Sequence, residues 1–130
     1  MSTTTSLWPE FSAQAKPRGM RQILENAGGD IAEKTRGVVE FRVKTYSEGD
    51  KFYHDCYLVV PRVRFQHLLL RVITDAKPFP ATLATLRGQT IGSIPDEANL
   101  RETLKEHFQS QETREVVENL IANFGEPPTD

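Results

Sequence analysis

Residues 38–60 carry two runs of alternating apolar and polar side chains that meet at a turn. Val39, Phe41, Val43 and Thr45 alternate with Glu40, Arg42 and Lys44. After the interruption Ser47-Glu48-Gly49-Asp50, Phe52, His54, Cys56, Leu58 and Val60 alternate with Tyr53, Asp55 and Tyr57. A period of two over this length marks half-buried β-strands, and the glycine-containing break between them marks a hairpin. With residues 47–50 as the turn, Val39 faces Leu58, Phe41 faces Cys56 and Val43 faces His54 on a core side. Arg42 then faces Asp55 on the other side. A slip of one residue would mix buried and exposed positions, so the alternation selects the parity of the pairing.

The pattern continues into a third strand over residues 64–74, after Pro61 interrupts the second. Placing Leu68, Leu70 and Val72 in the core turns Phe65, His67, Leu69, Arg71 and Ile73 outward. Residues 81–87, beyond Pro78 and Pro80, predict a weaker fourth strand, and 88–95 reads as a connection punctuated by Gly88, Gly92 and Pro95.

Helical spacing flanks the strands. Met20, Ile23, Leu24, Ala27 and Ile31 form one apolar stripe after Pro17, with Gly28-Gly29 as a point of weakness and Gly37 as the terminator. Leu100, Leu104 and Phe108, then Val116, Val117, Leu120, Ile121 and Phe124, predict two further helices, with Ser110 as the N-cap of the second. The expected fold is therefore α+β in two layers: an antiparallel four-stranded sheet, an N-terminal helix and two C-terminal helices. Residues 1–16 read as an arm, 17–125 as a single domain and 126–130 as a frayed tail. The expected core takes Ile23, Leu24, Phe41, Val43, Leu58, Leu68, Leu70, Leu104, Leu120 and Ile121.

Composition sharpens this only in places. Charged residues make up 26% and hydrophobic residues 38% of the 130 positions, values of an ordinary globular chain. Apolar runs fall far short of the ~20 residues that span a bilayer, so no membrane association is expected. The first residues show no basic stretch leading into an apolar one, and a cytoplasmic location is the default expectation. The net charge of −2 is unevenly spread: residues 1–88 hold 13 Lys/Arg against 9 Asp/Glu, and residues 89–130 hold 3 against 9.

Candidate chemistry is sparse. Cys56 is the only cysteine, which excludes an intramolecular disulfide. Strand alternation separates His54 and Cys56 from Asp55, so that triplet is not a catalytic constellation. Cys56 reads as a small buried hydrophobe and His54 as a hydrogen-bonded histidine at the core edge. His54, His67 and His107 lack metal-ligand spacing, and no phosphate-binding glycine loop or nucleophile elbow occurs. No catalytic residue, metal or cofactor is expected.

What remains is a surface. The outward positions of the sheet mix aromatic, aliphatic and basic side chains, which is unusual for a wet face. Arg42, Tyr53, Tyr57, Phe65, His67, Leu69 and Arg71 are the expected partner-binding residues. They suit a small interaction module that takes a protein partner or a second copy of itself. A single-stranded nucleic-acid binder using the same face is one alternative, since aromatics among basic residues form stacking platforms. A small enzyme with an unrecognised site is the other. Trp8 and Phe11 give the N-terminal arm the means to cover the face instead.

Overall fold

A computed structural model describes residues 19–85 and 90–125, together with Leu7 and Pro9. The expected tail over 126–130, and the arm over 1–16 with its Trp8 and Phe11, lie outside the described residues except at those two positions.

The chain runs α1 (Met20–Gly28), α2 (Ile31–Lys34), β1 (Glu40–Glu48), β2 (Lys51–Val60), β3 (Phe65–Thr74), β4 (Ala81–Thr85), β5 (Thr90–Ile94), α3 (Glu97–Phe108) and α4 (Gln111–Phe124). The strands form one antiparallel sheet in the order β1-β2-β3-β4-β5, each paired with its sequence neighbours. The α+β class holds, with five strands rather than four among the described residues. Residues 88–95, expected as a connection, contain β5, whose short run around Gly92 carries too little alternation to announce a strand.

The predicted apolar stripe splits where the two glycines weaken it. Helix α1 ends at Gly28, and α2 is a single further turn. That turn closes on a Schellman arrangement: the Arg36 N–H donates to the Glu33 carbonyl at 3.2 Å and the Gly37 N–H to Ala32 at 2.7 Å. The left-handed residues are Arg36 at φ 54° and Gly37 at φ 82°. Asp96 caps α3 by accepting from the Asn99 N–H at 2.8 Å, and Ser110 caps α4 by accepting from Thr113 at 3.3 Å. Each such cap satisfies an N–H that the helix cannot, typically a contribution of ~1 kcal/mol.

The β1–β2 pairing keeps the predicted faces but moves by two residues. Phe41 lies opposite Leu58, Val43 opposite Cys56 and Tyr46 opposite Tyr53, because the turn is Gly49-Asp50 alone. Gly49, at φ 66°, takes the positive φ that a tight two-residue hairpin requires. Asp55 consequently faces Lys44, not Arg42.

The β2–β3 pairing changes more. Residues 61–64, a 3₁₀ turn followed by Arg64 at φ 57°, join Val60 directly to Phe65. That connection has the wrong parity for Leu70 and Val72 to face the core. A β-bulge repairs it: Tyr57 pairs with Leu68, Cys56 with Leu70, and Leu69 is the extra residue. Leu69 and Leu70 are therefore both buried beneath the helices, while Leu68 is half-buried on the opposite face.

The core joins Met20, Ile23 and Leu24 of α1, the inward residues Val43, Cys56, Leu58, Leu70, Val72 and Leu83 of the sheet, and Leu100, Leu104 and Leu120 of the last two helices. Three expected members are corrected. Leu68 leaves the core through the bulge, and Ile121 is 39% exposed because its neighbour Leu120 takes the inward position on α4. Phe41 is only half-buried, packed against the core rather than within it.

Candidate interaction face

The outer face of the first three strands is a grid set by pairing. One row reads Tyr46, Tyr53, Ile73; the next Lys44, Asp55, Arg71; the third Arg42, Tyr57, Leu68. A charged row thus runs between two rows rich in aromatic and aliphatic groups.

Asp55 is the anchor. Its side chain is 5% exposed, and Arg71 on the neighbouring strand clamps it in a fork, Nε to Oδ1 at 2.6 Å and Nη2 to Oδ2 at 3.2 Å. A buried carboxylate without such a partner would be strongly destabilising, so the pair is a condition of this face. The Asp55 hydrogen bond holds the Arg71 guanidinium more firmly protonated than usual. The guanidinium also lies 5.6 Å from the Tyr53 ring centroid, and Tyr46 stacks on Tyr53 at 5.4 Å with an interplanar angle of 11°. Loss of water around the Tyr46 phenol, and secondarily the Asp55 carboxylate, push its ionisation upward, so it stays a neutral donor. Arg42 at the border of the grid pairs with Glu40 at 3.2 Å, an exposed contact that contributes little.

Of the seven residues expected on this surface, Arg42, Tyr53, Tyr57 and Arg71 share it. Phe65, His67 and Leu69 do not. Between the connection and the bulge the parity of β3 is inverted, which turns Phe65 and His67 to the helix side, and Leu69 is buried at 5% exposure. Lys44, Tyr46, Asp55, Leu68 and Ile73 complete the grid, and of these Tyr46 and Leu68 are the two that the sequence does not place on this side. A two-residue turn at Gly49-Asp50 would have brought Tyr46 opposite Tyr53. Nothing in Leu68-Leu69-Leu70 distinguishes which leucine turns outward, since three identical residues carry no period.

On the helix side, His54 and Cys56 stand as alternation predicts. The His54 ring bridges two hydroxyls, Nδ1 to Thr45 Oγ1 at 2.9 Å and Nε2 to Thr74 Oγ1 at 3.2 Å, and burial lowers its affinity for a proton. Cys56 is fully buried, and loss of solvent raises its thiol far above the range in which a thiolate forms. His54 is thus a structural bridge and Cys56 an inert core residue. Among the described residues, no group of three His, Cys, Asp or Glu side chains is placed to hold a metal ion, and no helix is long and apolar enough to cross a membrane.

No family model, no curated protein and no solved structure matches the chain.

Proposed function

We propose that the chain is a small interaction module that takes a protein partner, a second copy of itself included, on the outer face of β1–β3. The observation that carries this reading is the grid itself: Tyr46, Tyr53, Tyr57, Leu68 and Ile73 around a clamped Asp55–Arg71 pair. Aromatic and aliphatic side chains with arginine are the composition of interface centres. The ion pair is already formed, so the face is organised before any partner arrives. A nucleic-acid reading is less well supported by the same geometry. The Tyr53 ring is engaged by Tyr46 and Arg71, so a base would have to displace one of them, and the Arg71 guanidinium that could meet a phosphate is already committed to Asp55.

The test is site-directed photo-crosslinking in the full chain, with p-benzoylphenylalanine in place of Tyr57 and, as control, in place of the exposed Glu118 on α4. A discrete protein adduct at 57, absent at 118 and lost with Leu68→Asp, is the expected result. Light scattering then says whether the adduct is a second copy. Adducts to RNA at 57, or the same protein adducts at both positions, would overturn the reading. Removal of residues 1–16 should leave the adduct at 57 in place; its appearance only after that removal would assign the face to the arm.

A further inference from the structure

The helical pairs do not close over the sheet. Between α1–α2 and α3–α4 lies a cleft of about 390 Å³, floored by the inner sides of β1, β2 and β3. This volume falls within the range of small-molecule sites, roughly 300–1,000 Å³. Its depth is apolar, with Ile31, Phe41, Leu58, Leu69, Phe108 and Val117 on its walls. Gly28 shapes one wall. A Cβ there would stand 2.5 Å from the Phe41 ring, so only glycine lets that ring lie flat against the end of α1. Phe41 in turn meets Phe108 edge to face at 5.6 Å, which joins the two sides of the cleft.

The rim has a different character. Exposed Lys34, Arg101 and Lys105 gather there, with Asp30 as the one carboxylate among the lining residues and Glu97 beside Arg101. Arg101 has Glu97 at 3.4 Å, but neither lysine has an ion-pair partner among the described residues. Besides the rim charges, the polar side chains on the cleft are Gln109 and Thr113, and Thr113 Oγ1 already accepts from Ser110 Oγ at 3.1 Å, so the cleft leaves no buried side-chain nitrogen or oxygen in want of a partner among the described residues. The complementary molecule has an unbroken apolar chain and a single anionic end. We propose that this cleft binds a medium-chain fatty acid, its carboxylate at the Lys34, Arg101 and Lys105 rim and its tail against Phe41, Leu58 and Leu69. The site lies on the opposite side of the sheet from the interaction face, so either assignment can fail without the other.

Isothermal titration of the full chain with decanoate, kept below its micelle concentration, tests this, with decanol as the uncharged control. One equivalent should bind saturably, at least about tenfold more tightly than decanol. The pair Lys34→Glu and Lys105→Glu should weaken decanoate by at least about tenfold and leave decanol unchanged. Ala27→Trp should abolish both by filling the cleft. The lysine variants alter only exposed side chains, so they decide the matter even if the tryptophan variant does not fold. Absence of saturable decanoate binding overturns the proposal, as does decanoate binding that ignores charge reversal. Binding of an acidic amphipathic peptide that decanoate cannot displace would likewise overturn it and give the cleft to a protein helix.

Discussion

At the scale of the residue, the centre of β2 shows how far alternation alone reaches. His54, Asp55 and Cys56 are neighbours in the chain, yet two face the helices and one faces out. That division was legible because it depends only on parity. The partner of Asp55 was not, because it depends on which strand supplies the nearest cation, and a two-residue shift replaced Arg42 by Lys44 and left the clamp to Arg71. His54 has a consequence that can be measured. The folded protein holds the ring neutral between Thr45 and Thr74, with its pKa below the ordinary value near 6.5. The unfolded chain therefore binds the extra proton first. The stability this group contributes is complete above pH ~6.5 and is lost as pH falls from there toward the folded pKa. Urea unfolding at pH about 7.5 and about 5 should show a larger loss for the native chain than for His54→Gln. Equal losses would mean that the ring is not held neutral.

At the scale of the element, strands with strong alternation and helices with clear caps were readable, and the irregularities between them were not. Ser110 announced itself as an N-cap, and Gly28-Gly29 as the weak point of the first helix. The bulge in β3 gave no such signal: a leucine at 68, 69 and 70 satisfies either face, so only the geometry of the 61–64 connection decides. Two substitutions one residue apart expose the difference. Leu69→Asp buries an unpaired carboxylate and removes a core leucine, which should cost more than ~4 kcal/mol, much of the stability of a typical domain. Leu68→Asp, on the half-buried outer face, should cost only ~1–2 kcal/mol. Chemical denaturation of the two variants measures this, and the reverse order would place the bulge elsewhere.

At the scale of the whole molecule, the α+β class was legible because strands cluster in the middle of the chain and helices at its ends. The cleft was not, because its walls come from segments that share no pattern. One side is built from residues 27–34 and the other from residues 101–117, with the entire sheet between them in sequence. A chain ending after β5, at Pro95, keeps every strand pairing but loses Leu100, Leu104 and Leu120 from the core. Such a fragment should bind a hydrophobic dye more strongly, and form larger assemblies, than the full chain at the same concentration. Dye fluorescence and light scattering would show it. The order of synthesis follows the same logic. A nascent chain that has emerged only through its strands already presents Phe41, Leu58 and Leu69, but the opposite wall is still inside the ribosome. Until the last helices arrive, this apolar trough stands open, and shielding it falls to whatever accompanies the chain as it is made.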